Sequence, residues 1–229
     1  MGGLALQADS GHWCVVTGAE ARVTVDGRPV GCGMPFFVEP DTTVAVGAPT
    51  RGLRSYLAVS GGLATPSLLR SRSEDTLGRI VPLPIEAGAV LPVGPSGWLP
   101  RLDQPHHSPL PASGPLLLPV APGPRRDWLE DSSGLPSRPS PSPVSSKLDR
   151  IGVRFEGPAL TRSVTRTLPS EGLIRGAVQL PPSGDPIVLL ADHPTTRGYP
   201  VIAVVDDATT DLLAQVTPGQ SVRFIDAAS

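Results

Sequence analysis

The chain has 229 residues, room for one large or two modest domains, since typical domains run to roughly 100 to 150 residues. Hydrophobic residues make up 39% and charged residues 17%, with 25 glycines and 29 prolines, which excludes a charge-driven disordered chain and argues against long helices. A formal net charge of −2 with a single lysine, Lys147, excludes the basic attraction that nucleic acid or an anionic membrane surface needs.

In chain order, the first half reads as short β runs between turn signals: His12 to Thr17, Ala21 to Val25, Pro35 to Val38, Thr42 to Val46 and Leu53 to Ser60. Asp26-Gly27 is a hairpin signal, because both residue types tolerate positive φ. Gly61-Gly62 ends the strongest of these strands. Leu63 to Arg72 then reads as a loop with at most a helical turn. From Val81 to Leu118 proline and glycine leave room for little more than one strand, Ala87 to Leu91. Cys14 and Cys32 are too few and too far apart for a metal cluster and read as buried free thiols.

The second half opens with a strand candidate at Leu116 to Val120 and the run Pro122-Gly-Pro-Arg-Arg-Asp-Trp128. Asp131 to Pro143, rich in Ser and Pro, reads as a mobile loop with polyproline character. Strands follow at Gly152 to Glu156, Ala177 to Leu180, Ile187 to Ala191 and Val201 to Val205. Asp206 to Ala214 carries a helical pattern that Asp207 or Thr209 can cap. Pro218-Gly219 then turns the chain into Ser221 to Ile225. The expected fold is mainly β, with a division into residues 1–118 and 119–229. No apolar run approaches the roughly 20 residues that cross a bilayer, and no basic start precedes an apolar core. The expected compartment is cytoplasmic.

Chemistry concentrates in Ser170 to Pro200. Pro181-Pro182-Ser183-Gly184 cannot lie inside a central strand and reads as a hairpin connection. Turn formation accounts for its prolines and glycine. It leaves Gln179 before the turn and Asp192 after the next strand, both placed to face a common pocket, and Ser183 reads either as a turn residue or as a ligand contact. Asp192-His-Pro-Thr-Thr-Arg-Gly-Tyr199 offers a carboxylate, an imidazole, hydroxyls, a guanidinium and a phenol; a carboxylate can act as base or anchor, and Thr195, Thr196 and Tyr199 can serve an oxygen. The alternative is a loop whose side chains satisfy their own backbone. His193 reads as a surface loop residue. Arg70-Ser-Arg-Ser-Glu-Asp-Thr76 reads either as an oxyanion-binding loop through Arg72 or as a self-paired surface loop. No HxH, HExxH, CxxC or GxxxxGK[ST] occurs, so neither a transition-metal site nor a P-loop is expected.

Arg54-Ser-Tyr-Leu-Ala-Val-Ser-Gly-Gly62, Ser71-Arg-Ser-Glu-Asp-Thr76, Pro122 to Trp128, Asp149-Arg-Ile-Gly-Val-Arg-Phe-Glu-Gly-Pro158 and the Ser170 to Pro200 block together resemble the KipA-like family, also called allophanate hydrolase subunit 2, which includes the C-type component of 5-oxoprolinase. The resemblance runs in order from about Gly2 to Phe224. It implies two β domains, the second a cyclophilin-like β-barrel with a short helix. It also implies a KipI-like partner, the B-type component of 5-oxoprolinase, and an A-type component. The implied activity is ATP-dependent opening of 5-oxoproline to glutamate, with Mg2+ accompanying ATP and the nucleotide site on or shared with the partner. On this reading Asp192 is the anchor or base, Gln179 and Ser183 contact the amide or carboxylate, Thr195, Thr196 and Tyr199 line the pocket, and Arg72 meets the substrate carboxylate. The resemblance leaves two alternatives open: a carboxyltransferase or allophanate- or urea-processing component of a biotin-dependent system, whose biotin would be carried elsewhere because no Met-Lys-Met is present, and a non-catalytic regulator that binds a KipI-like protein. Family members carry a further N-terminal segment with a Gln-Asp-Leu-Gly-Arg-Pro-Gly-like motif that Met1 to Asp9 does not match, so the chain is expected to begin inside the first domain, leaving a strand edge exposed.

Overall fold

The computed structural model describes residues 3–75, 78, 84–96, 105, 107–131, 134–137 and 141–227. Thr76 and parts of the two passages expected to be irregular, 81–118 and 131–143, lie outside the described residues. The chain divides into two compact units, residues 1–50 with 55–108, and residues 51–54 with 109–229.

The first unit is one sheet built from β1 (Leu4–Gln7), β2 (His12–Val25), β3 (Arg28–Val30), β4 (Phe36–Val38) and β5 (Thr43–Val59), in the order β1-β5-β2-β3 with β4 also on β2. The two runs expected at His12 to Thr17 and Ala21 to Val25 form one strand, and those at Thr42 to Val46 and Leu53 to Ser60 form another. Gly18 and Gly52, both at positive φ, let these strands bend without ending. Asp26 and Gly27 carry φ of 45° and 78° and connect Val25 to Arg28, as the hairpin signal requires. Ala87 to Leu91 is not a strand: it holds a turn closed by the Ala89 N–H to the Glu86 carbonyl, 3.1 Å. Leu63 to Arg72 contains no helical turn. Leu68 and Ser71 exchange both backbone hydrogen bonds, at 2.9 Å each, around Leu69 and Arg70 at positive φ.

Val16, Val23, Val38, Val44 and Cys14 form the core of this unit. Cys32 is only half-buried, contrary to expectation, and its thiol donates to the Val16 carbonyl at 3.4 Å. Burial pushes the Cys14 thiol up from 9.0 to about 11. Between those two values the unfolded chain binds fewer protons than the folded one, so stability contributed by the neutral thiol is fully present below pH 9 and is lost as pH rises toward 11. The loss is expected to be roughly 2 to 3 kcal/mol. Denaturant titrations in a Cys32→Ser background should show it, and Cys14→Ala should flatten it; an equal alkaline loss in Cys14→Ala would refute the assignment.

The second unit is a seven-stranded sheet in the order β7-β14-β6-β13-β10-β11-β8. Its strands are β6 (Leu116–Pro122), β7 (Ser142–Pro143), β8 (Gly152–Arg154), β10 (Ala177–Gln179), β11 (Ile187–Leu189), β13 (Val201–Val205) and β14 (Ser221–Asp226), while β9 (Glu171–Gly172) and β12 (Thr196–Arg197) form a separate ribbon. β6, which a division at 118/119 would cut, lies wholly inside this unit. The sheet closes on itself. Beyond the edge strands β7 and β8, Val144 bridges Phe155, the Ser145 N–H donates to the Arg154 carbonyl at 2.9 Å, and the Glu156 N–H donates to the Pro143 carbonyl at 2.9 Å. Closure removes free edges and encloses Leu118, Val153, Phe155, Leu180, Ile202 and Phe224. Each such side chain is worth roughly 1.5 to 3 kcal/mol when buried.

Leu135 is also in this core, at 2% exposure, so the described part of the Asp131 to Pro143 passage is ordered: it holds a 3₁₀ turn at Leu135–Ser137 and β7. The helix α1 (Asp207–Leu213) begins one residue after its cap, which is Asp206. Asp206 is extended and its carboxylate accepts from the Thr209 N–H at 2.9 Å and the Thr209 hydroxyl at 2.7 Å, which holds its carboxyl below the ordinary value. Asp207 already has helical backbone and cannot perform that task. Just past α1, Gln215 accepts from the Leu53 and Arg54 N–H groups and donates to the Arg54 carbonyl, all at 2.9 Å. That three-bond clasp is why residues 51–54 count with the second unit. Among the described residues no helix is long and apolar enough to cross a membrane.

Candidate functional site

The block Ser170 to Pro200 folds over its own sheet. β10 is antiparallel to both β11 and β13, which flank it, so the chain leaving β11 must cross β10 before it can enter β13. The crossing segment, 190–200, and the β9–β12 ribbon cover the sheet's outer face. Alternation along the strands sends Val178, Val188 and Leu190 into the barrel, and Ala177, Ile187, Leu189 and Val201 outward into a second small core with Leu173.

Gln179 shares that outward face and is fully buried beneath the crossover. Its Nε2 donates to the Tyr199 carbonyl at 3.2 Å. Its Oε1 is out of solvent and accepts nothing. The pairing of β10 with β13 skips a residue here, Val178 facing Ala203 and Gln179 facing Val201, and such a bulge re-aims the side chain beside it. An unmatched buried carbonyl oxygen is rare enough to mark a place where a donor is missing.

The other expected residues are distributed along the crossover. Asp192 begins it. Its N–H donates to the Arg150 carbonyl at 3.1 Å and its carboxylate pairs with the Arg150 guanidinium at 3.3 Å, both side chains being about two-fifths exposed. Asp149 sets up that contact: its carboxylate accepts from the Ile151 and Gly152 N–H groups at 2.8 and 3.0 Å, turning the chain so that Arg150 lies beside Asp192. His193 donates from Nδ1 to the Pro194 carbonyl, 2.9 Å, and is committed locally. Thr195 is exposed and its carbonyl receives the Leu173 N–H at 2.9 Å, while Thr196 is exposed on β12 opposite Gly172. Tyr199 is half-buried and Arg197 lies over its ring at 5.0 Å. The bonds that tether Thr195 and the Asp192 N–H are backbone to backbone and reach Leu173 and Arg150, so they owe nothing to the Thr or Asp side chains.

Gln179 and Tyr199 are thus in direct contact, and Ser183 stands at the same end of the hairpin, in a turn closed by the Gly184 N–H to the Pro181 carbonyl at 3.0 Å. Gly184 has φ of +83°, and a Cβ there would meet Leu160 backbone oxygen at 2.8 Å, so the turn needs its glycine. The Ser183 hydroxyl is exposed and takes only a long bond, 3.5 Å, from the Asp185 N–H. Asp192 lies at the opposite end of β11 from Ser183. Arg72 belongs to the first unit, where its Nε donates to the Thr65 carbonyl at 2.8 Å. A cavity of about 590 Å³ in that unit is lined by Gln7, Asp9, His12, Cys14 and Asp41 among apolar residues, and Arg72 is not among them.

Sequence reasoning gave no role to Arg150, Arg197 or the Arg125–Glu171 ion pair, in which each side chain is about one-third exposed. The hydrogen bond to Arg125 holds the Glu171 carboxyl below its ordinary range. Arg197 lay in plain view between Thr196 and Gly198. Arg150 was detectable only by pairing β8 with β11, whose register runs Val153 to Val188.

Comparison with known proteins decides the family. The family model for the carboxyltransferase domain, subdomain A and B, matches residues 1–226. The chain belongs to that family. The C-type components of 5-oxoprolinase from Escherichia coli and Haemophilus influenzae are 32% and 31% identical to it, each over 98% of this chain and over 73% and 72% of their own lengths. The urea amidolyase of Saccharomyces cerevisiae is 28% identical over 92% of this chain and 12% of its own length. Among solved structures, TTHA0988 superposes with a TM-score of 0.80 at 31% identity, covering 97% of this chain and 43% of that one. The Kluyveromyces lactis urea carboxylase superposes with a TM-score of 0.79 at 23% identity, which bears on fold alone. The chain therefore spans about three-quarters of its curated 5-oxoprolinase relatives and under half of the TTHA0988 chain.

Proposed function

We propose that this carboxyltransferase-family chain is one component of an ATP-dependent 5-oxoprolinase, acting with a KipI-like, B-type partner and an A-type protein on a small cyclic amide. The observation that carries this reading is its similarity along 98% of its length to two proteins named as the C-type component of 5-oxoprolinase. The chemistry of the site fits. A lactam presents one N–H and one carbonyl oxygen side by side, and the unmatched Oε1 of Gln179 is an acceptor of the kind such an N–H needs, closed off from solvent by the crossover. Tyr199, Thr195 and Thr196 supply hydroxyl donors for an oxygen that gains charge, Ser183 stands at the turn, and Asp192 is the anchor or base.

An unactivated amide is a poor electrophile, and phosphorylation of its oxygen by ATP would make water attack feasible. No three His, Cys, Asp or Glu side chains converge among the described residues in a metal-holding group. The nucleotide site is proposed to lie on the partner or to be shared with it, Mg2+ accompanying ATP on its phosphates, and no step through it is assigned to this chain. The test is ATP hydrolysis and glutamate formation by the co-expressed proteins, with and without 5-oxoproline. Turnover that requires 5-oxoproline is the expected result; turnover indifferent to it sinks the proposal. The second reading, a carboxyltransferase component of a biotin-dependent system, is favoured by the family match itself. Bicarbonate dependence and inhibition by avidin would establish it instead, and tight partner binding without turnover of 5-oxoproline, urea or allophanate would establish a regulator.

A further inference from the structure

Trp128 carries two guanidinium groups and no counter-charge. Arg162 Cζ stands 5.4 Å from the ring centroid and Arg166 Cζ stands 5.6 Å from it. The indole is 2% exposed and closes the 3₁₀ turn Arg126–Trp128. Arg162 is held against it by backbone pairing: it bridges Leu129, the Glu130 N–H donates to the Thr161 carbonyl at 3.1 Å, and the Ser163 N–H donates to the Trp128 carbonyl at 2.9 Å. Its position is thus fixed by the fold.

Three other arginines of this unit have found carboxylates, Arg125 with Glu171, Arg150 with Asp192, and Arg175 with Asp207 and Asp211. Arg162 and Arg166 form no ion pair among the described residues, although Asp127 and Glu130 are close by in the chain. The Nε of Arg162 is also shielded from water with no hydrogen-bond partner. A π face attracts a cation but accepts no in-plane N–H bond, so the ring satisfies none of the guanidinium donors, and those of exposed Arg166 face solvent. Arg175 has an unmatched Nε as well, so what sets Arg162 and Arg166 apart is two guanidinium groups against one indole with no carboxylate on either.

We propose that Arg162 and Arg166, braced on Trp128, form a binding site for a small dianion of the phosphate or phosphate-monoester class. Two guanidinium groups match the charge of a dianion, whose oxygens can take their terminal N–H donors. The site is independent of the reaction proposed above and uses none of its residues.

The test follows the Arg162 Nε–H resonance of the 15N-labelled full chain, assigned by its loss in Arg162→Gln, during titration with inorganic phosphate at constant ionic strength. A saturable shift is expected, and Arg166→Gln, an exposed position, should weaken the apparent affinity by about tenfold or more, as loss of a charge-assisted contact does. Glycerol phosphate binding more tightly than inorganic phosphate would identify an ester ligand; equal affinities would identify the free anion. No saturable shift, an equal shift with chloride, or unchanged affinity in Arg166→Gln would overturn the proposal.

Discussion

Gln179→Leu is expected to leave the fold nearly as stable as the wild type while lowering kcat/KM for 5-oxoproline, in the reconstituted complex, by about a hundredfold or more. The stability argument balances two costs. The wild-type chain already carries one buried oxygen without a partner, Gln179 Oε1, which leucine removes. Leucine also deletes the 3.2 Å bond from Nε2 and leaves the Tyr199 carbonyl unmatched. Each unsatisfied group costs roughly 1 to 3 kcal/mol, so the two changes nearly cancel, to within about 1 kcal/mol. Leucine also matches the apolar company of Ala177, Ile187, Leu189 and Val201. The activity expectation has no such compensation, because it rests on the proposed role of Gln179 Oε1 as acceptor for an amide N–H, which leucine does not supply. Denaturant midpoints and steady-state kinetics on the same preparation separate the two. A large destabilisation with unchanged turnover per folded molecule would make Gln179 a structural clasp and would remove it from the site.

The strands were legible because β structure announces itself through alternation and turn chemistry. Asp26-Gly27 required positive φ, and Pro181-Pro182-Ser183-Gly184 had to be a turn, and both behave so. Length along a strand was not legible. Gly18 and Gly52 look like breaks in a sequence, yet each bends a continuing strand, since glycine supplies positive φ without ending the ladder. Within the described part of Asp131 to Pro143, composition hid one feature: it speaks for solvent exposure on average, whereas Leu135 is inserted into the barrel core. The site was half legible. Gln179 stood out as a polar residue in an apolar strand, but its burial depends on a crossover over β10 that no local pattern reveals. Arg150 and Asp192 are 42 positions apart in the sequence and meet only through the pairing of β8 with β11.

Asp192→Ala should lower turnover of the complex by about a hundred- to a thousandfold, the range for loss of a positioned general base or charged anchor. Its effect on stability should be small. The Arg150 and Asp192 side chains are 44% and 39% exposed and 3.3 Å apart, and pairs this accessible contribute roughly 0 to 1 kcal/mol. The backbone bond from the Asp192 N–H to the Arg150 carbonyl survives the substitution, so the loop keeps its course. Arg150→Gln then separates the two roles of the pair. If Arg150 only orients the carboxylate, Arg150→Gln should cost about tenfold and Asp192→Asn far more, because a carboxamide keeps the shape but neither the charge nor the basicity. An Asp192→Ala complex that turns over 5-oxoproline at the wild-type rate would leave the carboxylate as no more than the partner of Arg150, and the catalytic burden would then fall on another protein of the complex.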